Sequence, residues 1–183
     1  MRTLHLAGIL VWGIGLSGCG PSLGNYEVME IAVVEKLPET LRLDRGPEPF
    51  LKLSIRSNFD LVADAMIVYA FKTSCSWPYA EDRMIHGPLA AADPPIDLYD
   101  AEPAMKRDAQ GKASYVLYLP VAAPAQKPIP NLDDVDPAYD LSVGESDLCL
   151  KIIQTGYFIT ESRSEIIRVS RSDLSQALAR MAI

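Results

Sequence analysis

Apolar and polar side chains alternate along much of this chain. In FLKLSIRS, Leu51, Leu53 and Ile55 point one way and Lys52, Ser54 and Arg56 the other, the period of two that marks a half-buried strand. The same period puts Met29, Ile31 and Val33 of VMEIAVVE on one face, and likewise Tyr115, Leu117, Leu119 and Val121 of SYVLYLPV. It recurs at Leu148, Leu150 and Ile152 of LCLKIIQT and at Ile167 and Val169 of EIIRVS. DAMIVYAFKT (Asp64 to Thr73) is apolar on both faces, which predicts a central strand covered from both sides. Six such segments, with no long helical period between them, predict a mainly β fold, an antiparallel β-sandwich.

The period changes at the end of the chain. Leu174, Ala177, Leu178 and Met181 are spaced i, i+3, i+4, i+7. A short amphipathic helix is therefore expected over 172–182, with Ser172 as N-cap, Asp173 in the first turn and the apolar face packed on the sandwich. Between Pro78 and Pro137 lie 10 of the 14 prolines. Proline fixes φ and removes a ladder donor, so this stretch is expected to form loops, edges or polyproline II, and long ordered loops often carry binding surfaces. Nothing divides residues 27–183, which read as one domain with its own core.

Residues 1–18 have another character. Arg2 is followed by an apolar run from Leu4 to Leu16 without acid, lysine or arginine. About a dozen residues are too few to cross a hydrocarbon core of about 30 Å, and the basic start and small-residue end fit a secretory signal peptide. The run closes on Leu16-Ser17-Gly18-Cys19, which resembles the lipobox of bacterial lipoproteins. The resemblance implies cleavage before Cys19, a diacylglyceryl group on its sulfur and a further acyl chain on the new amino terminus. Two or three such chains hold a protein far more firmly than one, at about 0.8 kcal/mol per buried methylene. The residue after the cysteine is Gly20; in enteric lipoproteins an aspartate there favours inner-membrane retention, so the resemblance implies the outer membrane, facing the periplasm. Residues 19–26, the lipidated cysteine and GPSLGNY, are expected to form a short tether.

Charge and cysteines narrow the partners. The full chain carries a formal charge of −7, with 24 acidic residues against 17 lysines and arginines, and losing Arg2 makes it one more negative. An acidic chain without a basic cluster is a poor match for nucleic acid or anionic lipid head groups. Beyond Cys19 only Cys75 and Cys149 remain, and export to an oxidising compartment predicts a disulfide between them. A tryptophan, Trp77, stands beside Cys75, which resembles the immunoglobulin-like sandwich in layout. The resemblance stops there, because Cys149 shares strand parity with Lys151 and Asp147 stands where that fold has a tyrosine.

Signatures of catalysis are missing. There is no GxSxG, His86 is the only histidine past the leader, and one histidine with a disulfide leaves too few ligands for zinc. No cofactor cradle is present, since no glycine-rich loop leads from a strand into a helix. Counted from Asp134, the acidic loop sets Asp136, Asp140 and Glu145 at EF-hand positions 3, 7 and 12. Ala138 and Tyr139 then occupy positions 5 and 6, where a ligand and a glycine belong. The expectation is a non-enzymatic, membrane-anchored envelope lipoprotein that binds a protein partner, with Trp77, Tyr79, Tyr99, Asp134, Asp136, Tyr139 and Asp140 as its candidate surface. A small-ligand or calcium-binding module, and an immunity protein against a periplasmic toxin, are the other readings.

Overall fold

A computed structural model describes residues 21–41, 48–61, 67–77, 81–85, 89–91, 95–98, 100–101, 110–125, 138–155 and 161–180. In chain order the strands are β1 (Tyr26–Val34), β2 (Phe50–Ser57), β3 (Ile67–Thr73), β4 (Glu81–Ile85), β5 (Leu89–Ala91) and β6 (Ile96–Asp97). There follow β7 (Ala113–Pro120), β8 (Ala122–Ala123), β9 (Tyr139–Asp140), β10 (Leu148–Thr155), β11 (Glu161–Arg163) and β12 (Ile167–Val169), and the helix α1 (Arg171–Ala179). One sheet has the order β1-β2-β7-β5-β6, a second the order β11-β10-β3-β4 with β12 also on β10, and β8 pairs β9. All these pairings are antiparallel. The protein is mainly β, built of antiparallel sheets with one short C-terminal helix.

Both sheets feed one core. Leu51, Leu53 and Ile55 of β2, with Leu117 and Leu119 of β7, join Leu148, Leu150 and Ile152 of β10 in a single apolar cluster. The other face of the first sheet holds a smaller cluster of Phe50, Val116 and Tyr118 with Leu41 and Ala90. The limits of β2 and β10 coincide with the alternating runs FLKLSIRS and LCLKIIQT. β3 is interior in its sheet, between β10 and β4. Val68, Ala70 and Thr73 are buried while Phe71 and Lys72 are half-buried, so the cover of both faces that the apolar run predicts is seen on one face only.

The period of β1 is broken at its middle. The register shifts between Val28 and Glu30, so Met29 is the extra residue of a β-bulge and is 51 % exposed. Tyr26 and Val28 before it, and Ile31 and Val33 after it, all pack on the main cluster. Met29 therefore does not share a face with Ile31 and Val33, because one inserted residue flips the parity.

The edge beside β10 is interrupted as well, between β11 and β12. Ile153 faces Arg163 while Leu150 faces Ile167, which leaves one extra residue on the edge. Ser164 closes the gap with its side chain: the Ile152 amide donates to Ser164 Oγ at 2.9 Å, and Ser164 Oγ donates to the Glu165 carbonyl at 2.7 Å. The Ser164 residue is buried. Replacing it by alanine strands a buried amide, so Ser164→Ala is expected to lower stability by about 1–3 kcal/mol in urea denaturation; a change of a few tenths would overturn this reading of the bulge.

Two boundaries differ from expectation. The helix begins at Arg171, capped by Ser170 rather than Ser172: Ser170 is extended and accepts from the Asp173 amide at 3.1 Å. That places Asp173 third in the helix, where its carboxylate accepts from the Ser170 hydroxyl at 2.6 Å and its charge faces the positive end of the helix dipole. Leu174 and Ala177 are buried on the core as the spacing predicts, and Met181 lies outside the described residues. The fold also takes up part of the expected tether. Leu23 is 1 % exposed, its amide donates to the Arg163 carbonyl, and the Glu165 amide donates to the Gly24 carbonyl, each at 3.0 Å.

Candidate functional site

Strand direction gives the molecule two ends. Tyr26 of β1 pairs Ser57 of β2, which pairs Ala113 of β7, and the Leu23–Arg163 contact lies at this same end. At the opposite end stand Val34, Phe50 and Pro120 of the first sheet. The second sheet is tied to that end through Arg171, just past β12, whose guanidinium donates to the Leu141 and Ser142 carbonyls, and through Leu141, whose amide donates to the Val121 carbonyl at 2.8 Å.

The second end is built from two pinned loops. Cys75, just past β3, is bonded to Cys149 of β10 with Cα atoms 5.3 Å apart. Both cysteines belong to one sheet, since Thr73 of β3 pairs Cys149, so the bridge does not cross between sheets as it does in immunoglobulin domains. Lys151 parity for Cys149 already pointed that way. Arg168, opposite Cys149 on β12, donates to the Cys75 carbonyl at 2.8 Å and approaches the Asp147 carboxylate at 3.7 Å. Asp147 in turn accepts from the Arg171 amide at 2.9 Å. The Arg171 guanidinium donates to the Leu141 and Ser142 carbonyls at 2.8 and 3.0 Å. One disulfide, one carboxylate and two arginines therefore fix the 74–77 and 141–147 segments.

Those segments carry the most exposed large apolar side chains described, Trp77 at 81 % and Val143 at 75 %. Trp77 is thus not packed around the disulfide as a buried tryptophan would be. Tyr139 and Asp140 lie at the same end. The Tyr139 hydroxyl donates to the Pro120 carbonyl at 2.9 Å. Asp140 Oδ1 accepts from the Ser142 amide at 2.8 Å and the Ser142 hydroxyl at 2.6 Å, which holds its carboxyl below the usual range and makes it the hinge of a turn. Cys19, Tyr79, His86, Tyr99, Asp134 and Asp136 lie outside the described residues. Among the described residues, no three His, Cys, Asp or Glu side chains come together as metal ligands.

Val143, Asp147, Arg168 and Arg171 were not legible as site residues. Val143 alone had a local signal, an isolated hydrophobe in the turn-rich LSVGES; the others act through pairings that no spacing reveals. A further surface groove of about 480 Å³ runs between β1 and α1, lined by Met29, Glu30 and Ile31 on one side and Val169, Asp173 and Gln176 on the other.

At the first end, near Leu23, charges are paired. Glu27 accepts from Arg56 Nε and from Lys112 Nζ, both at 3.0 Å. The Arg56 hydrogen bond, then that of Lys112, pulls the Glu27 carboxyl down to about 2. Because this carboxyl titrates lower folded than unfolded, its contribution is complete above the ordinary carboxylate range and vanishes as pH falls through about 2. An NMR titration should show the Glu27 carboxyl still ionised at pH 3 and its midpoint rising in Arg56→Gln; an ordinary midpoint in the native protein would contradict the pairing. Nearby, the Tyr26 ring sits 6.3 Å from that of Tyr115, and burial raises the Tyr26 phenol well above the tyrosine range. The Ser57 hydroxyl, which eases that shift, is itself engaged with Asn25 and Phe59.

Among the described residues no helix is long and apolar enough to cross a membrane. Comparison with protein-family models, with curated proteins and with solved structures finds no match for this chain.

Proposed function

We propose that this protein is a lipid-anchored component of the bacterial cell envelope, held through Cys19 at the periplasmic face of the outer membrane, and that it works by binding a protein partner rather than by catalysis. The carrying observation is buried, bonded structure close behind the lipobox. Leu23 is buried and hydrogen-bonded to Arg163, four residues after Cys19, so cleavage before Cys19 would remove none of the described fold. The pinned, apolar-tipped loops at Trp77 and Val143 supply a rigid surface of the kind that protein contacts favour, since an ordered tryptophan costs little entropy to bury.

The anchor and the partner are tested together. Cells fed an alkyne fatty acid should label the native protein and leave Cys19→Ser unlabelled, and the mass of the amino-terminal peptide should show acyl chains on Cys19. A pull-down from detergent-solubilised envelope, with native protein and Cys19→Ser as parallel baits, should yield a stoichiometric protein with the lipidated form. Absence of label on the native protein sinks the anchor; absence of any partner with either bait moves the reading to a small-ligand module.

A further inference from the structure

We propose that the domain stands end-on to the bilayer, with the surface around Leu23, Asn25 and Arg163 resting on lipid head groups and the Trp77–Val143 end pointing away. This rests on the lipid-anchor reading and adds to it which face meets the membrane. The occupant of the Leu23 end is the bilayer surface itself, and covalent reach argues for it. Cys19 is four residues from Leu23, so even a fully extended chain spans roughly 14 Å between them. Leu23 cannot swing loose, because it is buried and its amide is bonded to the Arg163 carbonyl, with Gly24 bonded to Glu165. The polar layer of a leaflet is itself about 5–8 Å deep, so a cysteine whose sulfur carries acyl chains keeps the Leu23 end within about 6–9 Å of that layer at full stretch, and any shorter path of the tether brings the two into contact.

Strand length then sets the height of the far end. From Tyr26 to Val34, β1 rises roughly 26 Å, and Cys75, Trp77 and Val143 lie at the Val34 end of the fold. Lying flat would press further acidic surface of a chain with formal charge −7 against a leaflet whose lipids are often anionic, which is unfavourable. Contact through the Leu23 end alone avoids this, and there the Glu27 carboxylate is already matched by Arg56 and Lys112 and that of Glu161 by Arg163. A partner surface held away from the membrane is open to large proteins that a membrane-flush one would exclude.

The sequence supplies the probe. The chain has two tryptophans, Trp12 and Trp77, and removal of the leader leaves Trp77 alone in the mature protein. Native lipidated protein is reconstituted into vesicles of phosphatidylethanolamine and phosphatidylglycerol, with and without brominated acyl chains, after mass spectrometry has confirmed lipid on Cys19. Trp77 emission is expected to be the same in both vesicles and to remain open to aqueous iodide. The variant Asn25→Trp in a Trp77→Phe background, altered only at exposed positions, is expected to lose emission severalfold to the brominated lipid. Quenching of Trp77 as strong as that of the Asn25→Trp probe would mean that the domain lies flat, and quenching of neither that it is held off the surface; both overturn the proposal. A mature protein without lipid that fails to float with vesicles would instead refute the anchor on which the proposal stands.

Discussion

Replacing Cys75 and Cys149 together by alanine is expected to lower the stability of the domain by about 4 kcal/mol, the chain-entropy value of a bridge closing a loop this long. The two cysteines are 74 positions apart, so most of the chain between β3 and β10 is enclosed. Their Cα separation of 5.3 Å lies within the ordinary range for a disulfide. For a domain of this size that loss corresponds to a fall in Tm on the order of 10 °C, read by circular dichroism under non-reducing conditions. Reductant added to the native protein should reproduce the fall, and should leave the double alanine variant unmoved. A drop of a degree or two would show that the bridge constrains little. The effect should also reach the candidate surface, since Arg168 would be left with its 2.8 Å hydrogen bond to the Cys75 carbonyl as a main tie on the Trp77 loop.

The second large effect is expected at Leu117. It sits mid-way along β7, the central strand of the order β1-β2-β7-β5-β6, opposite Leu53 on one side and Leu89 on the other. It is 0 % exposed and belongs to the cluster shared by both sheets. Leu117→Ala removes buried methyl groups where strands on either side limit collapse, so a loss of about 2–5 kcal/mol is expected in urea unfolding. Val143→Ala is the matched control. Val143 is 75 % exposed, and its truncation should change stability by no more than about 0.5 kcal/mol while weakening any partner that grips this end. Equal losses at the two positions would contradict the division of the molecule into core and presented surface.

The long strands were legible because each satisfies its own pattern. β2 and β10 coincide with FLKLSIRS and LCLKIIQT since their apolar sides face one core along the whole length. β5, β6, β8, β9 and β11 were not legible, being two or three residues long. A segment such as LAA shows no alternation, and it is a strand because Leu89, Ala90 and Ala91 find Leu117, Val116 and Tyr115 beside them. β4 was missed for a related reason: EDRMI has no clean period, and its place is set by pairing with β3. Of the candidate surface, Trp77, Tyr139 and Asp140 do gather at one end, but no feature of the sequence placed Val143 with them or gave Asp140 its role in a turn.

By itself, then, the sequence determined the fold class and the helical period at the end, pointed to Cys75 and Cys149 as partners, and carries at Leu16-Ser17-Gly18-Cys19 a stretch that resembles a lipobox. These are local or combinatorial facts: side-chain alternation, a count of cysteines, a motif at the end of an apolar run. The tertiary structure alone decided the bulge at Met29, the Ser164 side chain that completes an edge, the burial of Leu23 and the placing of Leu23 and Trp77 at opposite ends. Each of these depends on which strand lies beside which, and such neighbours are chosen by burial and hydrogen bonding between segments far apart in the chain, where no short window of sequence can hold the information.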